Sequence, residues 1–271
     1  SRAGSAAKTL ASAMAASSLT GTTATIDWTT DQSADSKVEY GLTTSYGSLT
    51  TLNGTMVTSH SQGLTGLSHS TLYHYRVIST NGVALTATSA DGTFTTVAPP
   101  VISGVTTSAI TGVSASVAWT TNQTSSSQVQ YGPTTAYGST TTLNPTLAAA
   151  HLQTLVGLTP GTTYHYRVTS KNAQAVSATS ADFTFATFAA PAITAVSVSA
   201  ITSTSATVSW TTDLASNSLI EFGPTTGYGD ATNADETVVT AHVQGLYSLA
   251  PGTTFHFRVY SVTPEGVQAV S

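Results

Sequence analysis

The sequence predicts an all-β chain: three antiparallel β-sandwiches in tandem, laid end to end as an extended rod. Three observations predict it. The three tryptophans, Trp28, Trp119 and Trp210, are spaced by 91 residues (119 − 28 and 210 − 119). Inside each unit, apolar and polar residues alternate with a period of two. Clusters of Gly, Pro, Ser, Thr and Asn interrupt the alternation at short intervals. A fixed internal period marks a repeat architecture. A period of two marks strands with one buried face. About seven short runs between turn signals, in about 91 residues, is the pattern of a β-sandwich.

The elements follow in order within one frame. "ATIDWTT" (24–30), "ASVAWTT" (115–121) and "ATVSWTT" (206–212) align, with Ala115, Val117 and Trp119 on one face and Ser116, Ala118 and Thr120 on the other. "VEYGLTTSYG" (38–47), "VQYGPTTAYG" (129–138) and "IEFGPTTGYG" (220–229) each give a strand and then a Tyr-Gly turn. "LYHYRV" (72–77), "TYHYRV" (163–168) and "TFHFRV" (254–259) give the next, with His and Arg outward. No segment inside a repeat reads as helix. The entry "KTLASAMAASSLT" (8–20) is Ala-rich, and its helix propensity favours a short helix over a strand. The expected boundaries are an arm at 1–7 and repeats at 8–97, 98–188 and 189–271. The joints "TTVAPPV" (95–101) and "ATFAAPA" (186–192) are short and carry proline, so they are stiff. Strands of seven to nine residues make each unit about 30 Å long, and three in line about 100 Å.

The tryptophan strand followed by "LTPGTTYHYRV" (158–168) resembles the fibronectin type III domain, with Leu158, Pro160, Tyr164 and Val168 matching its pattern. The resemblance implies that Tyr164 is a corner tyrosine whose hydroxyl ties the preceding turn. Its counterparts are Tyr73 and Phe255; Phe255 has no hydroxyl, so the third corner is expected to be weaker. The longer pattern also looks like the non-catalytic N-terminal domain of purple acid phosphatases and like modules of bacterial secreted and cell-surface proteins. No Asp/His/Asn array with metallophosphatase spacing accompanies it.

Composition narrows function. Apolar residues make up 40% and charged residues 7%, with seven Lys and Arg and a net charge of −5. Nucleic-acid binding needs clustered cations, which are absent. No apolar run is long enough to span a membrane. There are no cysteines, so disulfides and thiolate sites are excluded. The Ser/Thr-rich, charge-poor surface points to an extracellular or cell-surface protein. No catalytic residues, cofactor or metal site emerge; Asp235 and Glu236 are the closest acidic pair and lie in one repeat only. Asn53-Gly54-Thr55 and Asn122-Gln123-Thr124 are glycosylation sequons.

The candidate interaction surface is the outward set His74, Arg76, His165, Arg167, His256 and Arg258, with Tyr46, Tyr137 and Tyr228. It reads either as a polar or glycan-binding stripe or as cross-strand pairing with Glu39, Gln130 and Glu221 that settles register. His60, His151 and His242 share strand parity with Leu64, Leu155 and Leu246. They are expected at the margin of the core, hydrogen-bonded near the Tyr-Gly loop.

In the 91-residue frame the third repeat stops at "PEGVQAVS" (264–271), where the others continue into "ADGTFTT" (90–96) and "ADFTFAT" (181–187). Its last strand is therefore expected to be missing. It would come from a longer array, from a strand outside this sequence, or from a neighbouring subunit by strand addition. The only candidate donor in view is "SRAGSAAKTLASAMAA" (1–16), a poor match. The expectation is a non-enzymatic extracellular structural protein: a rod-like subunit of a surface fibre or adhesin stalk, self-associating head to tail or joined to further repeats. The alternative is a spacer or carbohydrate-binding accessory region of a larger secreted enzyme, with glycans as partners.

Overall fold

The computed structural model describes residues 11–271. The described residues form strands, turns and loops, with no helix. The arm at 1–7 lies outside them. The first repeat contains β1 (Ala11–Ser17), β2 (Ala24–Gly41), β3 (Ser48–Leu49), β4 (Asn53–Leu64), β5 (Leu72–Thr80), β6 (Thr86–Thr88) and β7 (Gly92–Thr95). The second contains β8 (Ile102–Ser108), β9 (Ser114–Gly132), β10 (Ser139–Thr140), β11 (Asn144–Val156), β12 (Thr163–Lys171), β13 (Ser177–Thr179) and β14 (Phe183–Ala186). The third contains β15 (Ile193–Ser199), β16 (Ser205–Gly223), β17 (Asp230–Ala231), β18 (Asp235–Tyr247), β19 (His256–Val262) and β20 (Gln268–Val270). No described strand of the third repeat corresponds to β7 or β14.

Two predicted strands are one. β2 continues from the tryptophan segment into the "VEYG" segment, and β9 and β16 do the same. Its first half pairs antiparallel with β1 and β4, and its second half with β3 and β5. The ladder to β4 shifts register between Thr29 and Ala34, where the strand bends from one layer of the sandwich to the other. A bulge bends and twists a strand in this way. Thr30 holds the bend by donating from Oγ1 to the Gln32 carbonyl at 2.7 Å, as Thr121 does to Gln123 at 2.8 Å. β6 and β7 both pair with β5, so the last strand of the sandwich is split in two.

The helix expected within 8–20 is a strand. Ala11–Ser17 pairs with β2, and Met14, Ala16 and Leu19 pack on the core of the first repeat. Pairing and burial outweigh an Ala-rich propensity worth only tenths of a kcal/mol per residue. The first core is built on Ile26, Trp28, Val38, Leu64, Tyr75, Val77 and Phe94, and the second on the same frame around Trp119. The third is thinner: Val208, Trp210, Ile220, Phe222, Leu246 and Val259 are buried, while Phe255 and Phe257 are only partly buried.

The two joints share three contacts. Val97 N–H donates to the Thr20 carbonyl, and Phe188 N–H to that of Thr111. Val101 N–H is held by Asn122 Oδ1 at 2.7 Å, and Ala192 N–H by Asp213 Oδ1 at 2.6 Å. Gly21 of the first repeat faces Val176 of the second so closely that a Cβ on it would fall 2.7 Å from Val176 Cγ2; Gly112 faces Val267 at 2.8 Å in the same way. Asn172 Nδ2 and Gln123 Nε2 both donate to the Ala98 carbonyl in the first joint, each at 3.1 Å.

Candidate functional site

The outward face of the second sheet gathers the predicted surface residues into one cluster per repeat. The Tyr-Gly turn is wound tightly. Tyr46, Tyr137 and Tyr228 sit at positive φ (57, 60 and 58°). A Cβ at Gly41, Gly132 or Gly223 would fall 1.4–1.7 Å from the carbonyl oxygen of that tyrosine, so only glycine fits there. The turn lays each tyrosine ring beneath an arginine of β5, β12 or β19. Arg76, Arg167 and Arg258 each stand 4.6 Å from the ring centroid of Tyr46, Tyr137 and Tyr228 respectively. Each guanidinium also bonds across the ladder. Arg76 Nε meets Glu39 Oε2 at 2.5 Å, and Arg167 Nε meets Gln130 Oε1 at 2.7 Å. Arg258 Nε meets Glu221 Oε2 at 2.7 Å.

A carboxylate after the β6 and β13 strands completes the first two clusters. His74 Nδ1 lies 2.8 Å from Asp91 Oδ2, and His165 Nδ1 lies 2.7 Å from Asp182 Oδ2. The other oxygen of each accepts from the Tyr46 and Tyr137 hydroxyls, at 3.2 and 3.0 Å. The bond from His165 holds the Asp182 carboxyl below its usual range. Burial, and then the bond to the carboxylate, raises the Tyr46 and Tyr137 phenols. For His256 the position that matches Asp91 and Asp182 is not among residues 11–271. In the third cluster Tyr260 donates to Glu221 Oε2 at 2.8 Å instead, and with Arg258 it lowers the Glu221 carboxyl. Each cluster thus ties the Tyr-Gly turn to β5, β12 or β19. In the first two it also ties down the entry to the last strand.

His60, His151 and His242 are not at the margin of the core. They are buried within it, stacked on Trp28, Trp119 and Trp210 with centroids 4.8, 5.0 and 5.1 Å apart. Their partners are in the β2-type bend and not in the Tyr-Gly loop: Nε2 bonds Thr30, Thr121 and Thr212 Oγ1 at 2.8, 2.9 and 3.0 Å. Burial lowers all three imidazoles below their ordinary value, which keeps them neutral at pH 7. The continuous β2 strand explains the difference. It carries the bend inward beneath the histidine, a contact that strand parity alone does not reveal.

The tryptophan indoles escaped the sequence reading. Each Nε1 donates to a buried serine, Ser79, Ser170 or Ser261, at 3.0, 2.9 and 3.0 Å. The signal was there: these serines also recur every 91 residues, on the inward face two positions after the valine of "Y-R-V". Asp91 and Asp182 recur likewise. The corner tyrosines do as the resemblance implied. The Tyr73 and Tyr164 hydroxyls accept from Ser68 and Thr159 N–H, each at 3.0 Å. In the third repeat, with Phe255 in that place, β19 starts two residues later than β12 does in the repeat frame. Asp235 and Glu236 open β18, where Glu236 accepts from Asn217 and Asp235 from Thr237 N–H. Among the described residues no three His, Asp or Glu side chains converge as metal ligands.

These features define the class. The chain is a tandem array of fibronectin type III-like modules, and its second repeat, over residues 103–187, matches the family of the purple acid phosphatase N-terminal domain. The chain is also 36% identical to Endoglucanase B of Cellulomonas fimi over 185 residues, covering 64% of this chain. It spans 17% of that protein's length. A solved structure of the chicken CNTN1 FN1–FN3 domains is 14% identical, with 95% of this chain and 97% of that one covered and a TM-score of 0.28.

Proposed function

We propose that this chain is a non-enzymatic extracellular spacer, a stiff run of modules that holds other parts of a larger protein apart. The observation that carries the reading is what the two joints share. Each packs a glycine of one repeat against a valine of the next, and matching backbone bonds tie the start of the joint to the repeat before it. Substantial strand-to-strand packing lies within repeats, so the joints alone set their succession. The family matched by the second repeat is the N-terminal domain of purple acid phosphatases. The match to a small fraction of Endoglucanase B supports a spacer role within a larger secreted enzyme. Solution scattering tests it. A rod about 100 Å long has a radius of gyration of about 29 Å. A compact chain of this length would give about 18 Å. The spacer reading expects the first value, and the second would overturn it.

A second reading, a fibre subunit joined head to tail by strand addition, is favoured by one observation. The third repeat leaves an apolar recess of about 280 Å³ between Val198, Ile201, Leu246, Leu249, Phe255 and Phe257. A strand carrying one aromatic, from later in a longer chain or from a neighbouring copy, would fill it. Electron microscopy of concentrated protein distinguishes the two: filaments favour the fibre, and single rods sink it.

A further inference from the structure

We propose that a cleft along the β18 edge of the third repeat binds a neutral oligosaccharide. The cleft measures about 560 Å³ and runs from the crossover between β17 and β18 to the end of β18. Phe222, Asn233, Asp235, Gln244, Gly245 and Tyr247 line it. β18 pairs with β16 on one side only, so the edge of the sheet forms one wall.

Four features fit a sugar. Tyr247 is 72% exposed, and its ring lies down along the strand over Gly245, where a Cβ would fall 2.5–2.7 Å from the ring and hydroxyl atoms. The glycine therefore makes room for an aromatic surface that is open to solvent. Gln244 is nine-tenths buried. Its Nε2 is fixed by the Ser218 carbonyl and hydroxyl, both at 2.9 Å, while its Oε1 has no partner among the described residues. This unpaired acceptor is a polar atom of the cleft wall, beneath the face that carries Tyr247. Asp235 adds a carboxylate that the Thr237 hydroxyl and N–H keep ionised. No Lys or Arg lines the cleft, which argues against an anionic ligand. A sugar ring has a C–H face to lay on the tyrosine and hydroxyls to donate to the amide and carboxylate, the mixture a ligand site supplies.

The frame isolates this site. At the three positions 235, 245 and 247 the first repeat has Asn53, Gly63 and Thr65, and the second has Asn144, Thr154 and Val156. Only the third combines the acid, the glycine and the aromatic. The inference goes beyond the spacer reading and stands whatever the length of the rod.

The test is calorimetric and NMR titration of the whole chain with cellohexaose, xylohexaose and maltohexaose. At least one is expected to bind saturably, with shifts confined to residues 231–247. Tyr247→Val installs the second repeat's residue, so the fold should persist, as the melting temperature will verify. It is expected to weaken binding about tenfold, the scale of a lost aromatic contact. Asp235→Asn, the residue type of the other two repeats, should weaken it less. Absence of binding to all three sugars at about 10 mM, or equal affinity of the parent and Tyr247→Val proteins, would overturn the proposal.

Discussion

The second and third repeats share a frame, a Trp–His stack and a bent central strand; residues 11–271 include the last strand of the second but not the positions that match it in the third. In the second, β14 lays Phe185 against Tyr164 and Tyr166, with ring centroids 5.7 and 5.8 Å away. Asp182 then binds His165 and Tyr137 outside. In the third, the equivalent rings Phe255 and Phe257 border the recess seen among residues 11–271. The difference teaches that the last strand acts on both sides of the sheet. Inside it plugs the core with one aromatic; outside it anchors the polar cluster. The Trp–His–Ser centre does not depend on it: Trp210, His242 and Ser261 keep their contacts in the third repeat.

The largest effect expected is from Phe185→Ala, which gives the second repeat an open core like that of the third. It should cost the second repeat about 3–5 kcal/mol. Hydrogen exchange resolved by repeat is expected to show β12 losing protection while β19 is unchanged. Equal loss in both would mean that the repeats do not close independently.

Acid comes next, and it should not distinguish the repeats. Each holds one buried histidine whose imidazole is lowered in the folded state. The unfolded chain takes up those protons first, so stability is intact above about pH 6.5 and declines as pH falls below it. Melting followed from pH 8 to 5 checks this. A curve flat across that range would remove the histidines from the account.

Fold was legible because it is written in periodicity. The 91-residue frame, the alternation and the corner tyrosine signal each report a local rule, and the three copies reinforce one another. The outward rows of arginine and tyrosine were visible too, since parity and the Tyr-Gly turn are sequence features; that each arginine stacks on a tyrosine was not. What the sequence hid were contacts across the sandwich. Ser79 meets Trp28 from the facing layer, and Thr30 meets His60 only because β2 bends there; no pairwise pattern announces either contact. The strand at Ala11–Ser17 was hidden for the same reason: its propensity was local, and its partner was not.

Smaller changes sharpen the comparison of corners. Tyr164→Phe converts the second corner into the third and leaves Thr159 N–H without its acceptor, at an expected cost of about 1 kcal/mol. Phe255→Tyr is the reciprocal change, expected to return part of that in the third repeat and to slow exchange at the start of β19. Denaturant midpoints of the two variants check the pair; shifts of the same sign would contradict the corner role. Smallest is Arg167→Met, which removes the cation above Tyr137 but keeps the stem. It is expected to cost about 0.5–1 kcal/mol, measured by the thermal midpoint.

The most direct measurement joins the second repeat's "ADFTFAT" (181–187) after Ser271 and follows hydrogen exchange in β19. If the last strand is the plug that separates the two repeats, protection of β19 rises to that of β12, and Phe255 and Phe257 become buried. If exchange in β19 stays as it is in the parent chain, the recess is not a vacant strand site and the account of how these repeats close is wrong.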